Sequence, residues 1–275
     1  MNPQIHVFTA PADKFFVNSF IIESDEALVL VDTQFLVSTA EALAEAVVRR
    51  GKPLAAIVIT HPHPDHFNGL ATLLARFGPV PTYANRPTID GIAATQAAKR
   101  EAWTPVYGDD YPRTDALPDQ VIGTDETIRI GGIDIRSVDL GPGESSDITV
   151  LHVPQADALI ASDLIYNACH PWLAEHRSLA WLAQLDRVEA LFPDTAYIYP
   201  GHGPAGSREL FAAQRAYILD QRAAVAAHAR GGVLDEAGLA AVRAAAMAGR
   251  TDWPLAALID MNAAALAAEL AEAQS

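Results

Sequence analysis

Up to residue 85, short apolar runs alternate with stretches whose apolar positions recur at helical spacing. Residues 15–23 and 27–31 are rich in β-branched and aromatic side chains and flank the polar turn Ser24-Asp25-Glu26, which predicts a strand pair. Ser38, with Glu41 three residues on, reads as the cap of a helix over 38–50 that stops at Gly51. The run 55–60 predicts a strand buried on both faces, 68–77 a helix closed by Gly78, and 80–84 a further strand. This βαβαβ rhythm predicts helices layered against sheet.

The pattern then changes. Residues 86–100 predict a helix, whereas 103–120 are rich in Pro and Asp, lack periodicity and predict a surface excursion inserted between two strand-rich halves. Gly131-Gly132 joins 127–130 to 133–138 as a hairpin, and 148–153 and 158–161 form the next strand pair. Ser178 reads as the cap of a helix running to about residue 192, followed by a strand over 196–199. Beyond Gly206 the pattern is helical throughout, in three pieces broken at Gly231-Gly232 and at Asp252-Trp253-Pro254. The expected class is α/β (α+β): two mixed β-sheets packed together and flanked by helices over 1–205, in which 86–120 holds a possible lid. Residues 206–275 are expected to pack on the same domain as a helical extension.

Composition narrows the function. Of 275 residues, 50% are hydrophobic, and 19 Lys and Arg stand against 34 Asp and Glu, a net charge of −15. A chain this acidic, without a basic patch, repels phosphate backbones, so nucleic acid is not an expected partner. The single cysteine forms no internal disulfide, which suits a reducing compartment. Residues 1–10 lack the basic and apolar regions of a secretory signal, and no apolar run is long enough to span a membrane. The expectation is a cytoplasmic protein without a membrane partner, acting on a small molecule. The Ala-rich C-terminal helices read as packing surface or as the contact of a possible homo-oligomer, and not as a binding module.

The segment Thr60-His61-Pro62-His63-Pro64-Asp65-His66 follows the buried strand directly. Three imidazoles and a carboxylate so close together each need polar partners or a cation. His61 and His63, two apart on extended chain, can point the same way, while Asp65 and His66 open the next helix and can face a second point. Imidazole with carboxylate suits a borderline divalent ion such as zinc.

This His-x-His-x-Asp-His pattern resembles the signature of the metallo-β-lactamase fold superfamily of hydrolases, and the order of later features agrees over roughly residues 15–204. The resemblance implies an αββα sandwich with metals at one edge of the sheets. It implies that Asp32 braces the metal loop from behind, that Asp163 bridges two metals and that His202 is the last ligand of the second. Where most relatives carry a third His for the first metal, this chain has Glu144, as alkylsulfatase-like members do. His61, His63 and Glu144 are then expected at the first metal and Asp65, His66 and His202 at the second, with Asp163 shared; Asp147 is the alternative to Glu144. The implied cofactors are two divalent ions, zinc first and manganese or iron next, because Glu in place of His makes the cluster less positive and favours harder metals.

Other residues carry less. Tyr166, His170 and Trp172 follow Asp163 and are candidates for the substrate pocket, with loop packing as the other reading. Trp103, Tyr107 and Tyr111 either line a lid or anchor their loop. His152 reads as a structural histidine and Cys169 as a buried inert thiol. The expected activity is cleavage of an ester-like bond (carboxylic ester, lactone, thioester or sulfate ester) by a metal-bridging hydroxide, with Asp65 helping to move the proton. A metal-dependent oxidoreductase or dioxygenase of the same fold, and a non-catalytic metal-stabilised interaction protein, are the alternatives.

Overall fold

A computed structural model describes residues 2–273. Its strands are β1 (Gln4–Thr9), β2 (Asn18–Glu23), β3 (Leu28–Val31), β4 (Leu54–Val58), β5 (Thr82–Ala84), β6 (Gln120–Val121), β7 (Glu126–Ile130), β8 (Ile133–Asp139), β9 (Thr149–Val153), β10 (Ala158–Tyr166) and β11 (Tyr197–His202). Its helices are α1 (Val37–Val48), α2 (Pro64–Phe67), α3 (Leu70–Phe77), α4 (Arg86–Tyr107), α5 (Ser178–Leu191), α6 (Glu209–His228), α7 (Glu236–Met247) and α8 (Leu258–Glu272). One sheet runs in the order β1-β2-β3-β4-β5-β6 and the other β11-β10-β9-β8-β7. Both are mixed: β3, β4, β5 and β6 run parallel, as do β10 and β11, and the remaining pairs are antiparallel.

The alternation within each strand explains the sandwich. Phe20, Ile22, Val29, Val31, Ala56 and Val58 point from the first sheet onto Ile133, Ile135, Leu151 and Ile160 of the second, forming the layer between them. Their neighbours Ile21, Leu28, Leu30 and Ile57 face the other way, onto Leu43, Val47, Leu70 and Leu73 of α1 and α3. The outer face of the second sheet is covered by Trp181, Leu185 and Val188 of α5 and by Phe211, Ile218 and Val225 of α6. Strands covered on both faces read as unbroken apolar runs.

Three local expectations need correction, and one strand was not expected. The N-terminal strand β1 carries a half-exposed pattern and extends the first sheet as an edge. The first long helix starts at Val37, not at Ser38; the Ser38 amide and hydroxyl instead bond the Asp110 carboxylate at 2.8 Å each. A carboxylate from distant chain thus sits at the positive end of α1. Likewise Ser178 is the first residue of α5, and its amide and hydroxyl bond Glu269 at 3.2 and 2.7 Å. Finally, α4 continues through Pro105 to Tyr107, and Tyr111 beyond it is 3% exposed. The surface excursion over 103–111 is therefore anchored by the ring of Tyr111 and, half-buried, those of Trp103 and Tyr107, while Pro105, Val106, Gly108 and Asp109 stay exposed.

Candidate metal centre

The ligand candidates come from strand ends at one edge of the sandwich, where the two sheets are tied together. Val17 and His202 form an isolated bridge across that edge, and the Asn18 side chain donates to the carbonyls of Pro200 and Gly203 at 2.8 and 2.7 Å. After β4, His61 and His63 remain on non-helical chain because Pro64 opens α2 at its first position, where a missing amide hydrogen costs nothing. Asp65 and His66 lie on that short helix.

Ligand atoms of His61, His63, Glu144 and Asp163 all lie within 4.8 Å of one another, and so do those of Asp65, His66 and His202. Asp163 faces both groups. Its Oδ1 is 3.2 Å from His66 Nε2, and its Oδ2 is 3.3 Å from His202 Nε2 and 3.6 Å from His61 Nε2. Asp65 Oδ2 stands 3.4 Å from His202 Nε2, and Glu144 Oε1 is 3.6 Å from His63 Nδ1. Asp147 lies elsewhere, accepting from the Thr88 hydroxyl at 2.8 Å.

Three imidazoles are steered by a partner on the ring nitrogen turned away from the centre. His66 Nδ1 meets Asp32 at 2.8 Å, His61 Nδ1 meets the Thr60 hydroxyl at 3.0 Å, and His202 Nδ1 meets the Phe15 carbonyl at 2.7 Å. Asp32 is itself fixed by the Thr60 amide and hydroxyl at 2.9 and 2.8 Å. Left-handed backbone at Phe15 (φ 66°), Asp32 (φ 60°) and Ser162 (φ 48°) aims these groups, conformations that cost non-glycine residues about 1 kcal/mol or more each. Ser162 also breaks the β10 register just before Asp163, so the strand bends and runs on to Tyr166. A side chain at Gly201 would place its Cβ 1.8 Å from Asp163 Oδ1, so only glycine admits that approach.

His61 Nε2, His66 Nε2, Glu144 Oε2 and Asp163 Oδ1 are buried and make no aligned hydrogen bond. Leaving such atoms unpaired costs about 1–3 kcal/mol each; converging on two shared points, they fit divalent cations. The charge pattern agrees. Burial works to lower the His66 and His202 imidazoles, yet Asp163 and the neighbouring carboxylates outweigh it, pushing His202 up to about 9 and His66 well above its ordinary range. Burial, with Asp163 beside it, pushes the Glu144 carboxyl well up. The Asp163 carboxyl stays well below its ordinary range, because three imidazoles overcome its burial.

A cavity of about 160 Å³ opens onto His63, Asp65, Asp163 and His202. Tyr166 and Trp172 line it, as does Trp103. The Tyr166 ring stacks on His202 at 4.7 Å, and its hydroxyl lies 2.6 Å from Asp163 Oδ2 and 3.0 Å from Glu144 Oε1. His170 lies outside the lining: its Nδ1 meets the Tyr217 hydroxyl at 2.8 Å and its ring packs on Trp253. Tyr107 and Tyr111 also turn away, packing edge-on against Phe35. His152 packs on Phe192 at 4.7 Å, and burial pushes the Cys169 thiol up, which keeps it protonated. Sequence reasoning missed Glu175, which lies 3.6 Å from His63 Nε2 and is held by Trp172 and Arg177 at 3.3 and 2.9 Å. Against its burial, His63 first and then Trp172 and Arg177 bring it down to about 2. It also missed Lys99 on α4 and Leu255, Leu258 and Met261 of the extension, which complete the wall.

This two-sheet sandwich with histidines and carboxylates gathered at one edge is the arrangement of a metal-binding α/β protein. The sequence model of the Metallo-beta-lactamase superfamily matches residues 12–202, and the chain belongs to that superfamily. It is 26% identical over 224 residues to a linear primary-alkylsulfatase from a Pseudomonas species, covering 69% of this chain and 42% of that one. To a metallo-beta-lactamase type 2 from Bacteroides fragilis it is 27% identical over 197 residues, covering 70% and 71%. The crystal structure of a beta-lactamase domain protein from Burkholderia ambifaria superposes with a TM-score of 0.69 at 20% identity, covering 99% of this chain and 86% of that one. That match extends the shared fold into the C-terminal helices. Among the described residues, no helix is long and apolar enough to cross a membrane.

Proposed function

We propose that the protein is a metal-dependent hydrolase whose centre holds two divalent ions and cleaves an ester-like bond in a small molecule. The observation that carries this reading is Asp163, whose carboxylate stands between the two groups, 3.2 and 3.3 Å from His66 and His202 of one and 3.6 Å from His61 of the other. His61, His63 and Glu144 would hold one ion and Asp65, His66 and His202 the other, with Asp163 common to both. Zinc suits the imidazoles, and the oxygen-rich set also suits manganese or iron. Such ions, when bound, supply Lewis acidity and make water more acidic.

The chain's own residues do the rest. Asp32, Thr60 and the Phe15 carbonyl fix the rings, so little reorganisation is left for the reaction itself. Burial and the adjacent carboxylates push the Tyr166 hydroxyl well above its ordinary range. It therefore keeps its proton, donates a hydrogen bond to the Asp163 or Glu144 carboxylate and holds those two groups in place. Asp65, 15% exposed at the cavity and held well below its ordinary range by His66 and His202 against its burial, stays ionised and can accept a hydrogen bond from a water or substrate hydroxyl there. The alkylsulfatase relative supports sulfate esters within the class, next to carboxylic esters, lactones and thioesters. Elemental analysis after reconstitution with zinc or manganese should find about two equivalents. A panel of chromogenic esters, thioesters, lactones and sulfates should show turnover that Asp163→Ala abolishes. Saturation at one equivalent would sink the two-ion reading, and full occupancy without turnover would sink hydrolysis.

A further inference from the structure

Opposite the carboxylates and imidazoles, the cavity wall is built from two parts of the chain with different chemistry. The α4 side contributes Trp103 and Lys99; the extension contributes Leu255, Leu258 and Met261. Lys99 is half-buried, and among the described residues it makes no hydrogen bond or ion pair. The other charges of the cavity are committed. Glu175 is held by Arg177 and Trp172, and Asp65 and Asp163 face His66 and His202. A cationic side chain without a partner on a cavity wall beside Trp103, Leu258 and Met261 offers an anion a partly exposed ion pair.

The walled part of the cavity, about 160 Å³, is close to the roughly 150 Å³ that takes one benzene, so it seats one ring-sized group while the rest of a ligand extends through the open mouth. Phe15, Phe35 and Trp172 give it aromatic walls. Leu255 reaches it from left-handed backbone at φ 67°, a costly conformation held in place by the turn around Pro254.

We infer that the substrate is a small amphiphilic carboxylate: one ring-sized apolar group sits among these walls, and a carboxylate remote from the scissile bond pairs with Lys99. This rests on the hydrolase reading for the bond that breaks, but the anion subsite can be measured without turnover.

Two matched measurements test it on the full-length, metal-loaded protein. In the first, 4-nitrophenyl butyrate is compared with the 4-nitrophenyl monoester of glutaric acid, which adds a terminal carboxylate. In the second, fluorescence of Trp103 and Trp172 reports binding of 3-phenylpropionate against 3-phenylpropanol. Wild type should favour the anionic member in KM and in affinity by about fivefold, the scale of a partly exposed ion pair, and added salt should shrink the preference. Lys99→Arg should keep it, Lys99→Met should lose it and Lys99→Glu should reverse it. An equal preference in wild type and Lys99→Met overturns the proposal. Ester turnover without charge preference would leave hydrolysis standing and remove the subsite. Lys99-dependent binding of phenylpropionate without any turnover would do the opposite.

Discussion

Glu144 stands among imidazoles at a position where a neutral histidine would also reach, and the choice of side chain sets the charge of the centre. A carboxylate there brings the negative count to three with Asp65 and Asp163, beside four imidazoles. Glu144→Ala should therefore lose about one metal equivalent, while the group of Asp65, His66 and His202 stays occupied. Glu144→His should restore occupancy and shift preference from manganese toward zinc. Elemental analysis under competing metals reads both, and full occupancy in the alanine variant would remove Glu144 from the ligand set. Asp147 gives a contrasting case. Its burial pushes it up to about 6, with the Thr88 and Asn85 side chains working against that shift. The folded state then holds a proton that the unfolded chain releases near pH 4, so stability falls as pH rises from about 4 to 6 and the penalty is complete above. Asp147→Asn should raise unfolding stability by about 1–3 kcal/mol at pH 8 and change little at pH 4. Urea titrations at both pH values check this; a variant that instead loses metal would make Asp147 a ligand.

At the scale of elements, the segment after residue 100 shows how packing overrides local pattern. Phe35 is met edge-on by Phe15, Trp103, Tyr107 and Tyr111, with ring centroids 5.0 to 5.8 Å away. The same chain carries Asp110 to the end of α1 and places Gln120 and Val121 beside β5. Replacing 103–120 with a Gly-Ser linker should thus cost the protein its cooperative unfolding transition, and Tyr111→Ala alone should cost about 3 kcal/mol. Thermal denaturation followed by circular dichroism decides; an unchanged midpoint would return the segment to the surface. The strands and the motif at His61 were readable because apolar runs and dense polar clusters are local signals. The aromatic cluster was not, because Phe35 and Tyr107 lie some seventy residues apart and Pro105 hides the end of α4. The caps on α1 and α5 escaped for the same reason: a carboxylate from distant chain replaces the local one. Lys99 looked like one more polar residue on a helix face, since only the cavity gives it meaning.

At the scale of the molecule, the C-terminal helices and the metal edge are one structure. Asn262 of α8, 2% exposed, accepts from the Leu173 amide at 2.7 Å and donates to the Pro171 carbonyl at 2.8 Å, clamping the loop that carries Trp172 into the cavity. Farther along α8, Glu269 holds the first turn of α5 together with Arg222 at 2.8 Å. Ahead of both clamps, in the first turn of α8, Leu258 and Met261 line the cavity. Asn262→Ala leaves two buried backbone groups without partners, which should cost about 2–4 kcal/mol of stability. The functional consequence should be selective, because the groups at His61 and His66 are built on other strands. Metal content should stay at the wild-type level, while KM for an ester rises more than kcat falls as Trp172 loses its fixed place. Asn262→Asp, which keeps the acceptor for Leu173 but loses the donor to Pro171, should fall between the two. Equal loss of kcat and metal in both variants would show that the extension supports the centre as a whole and not the wall of its cavity.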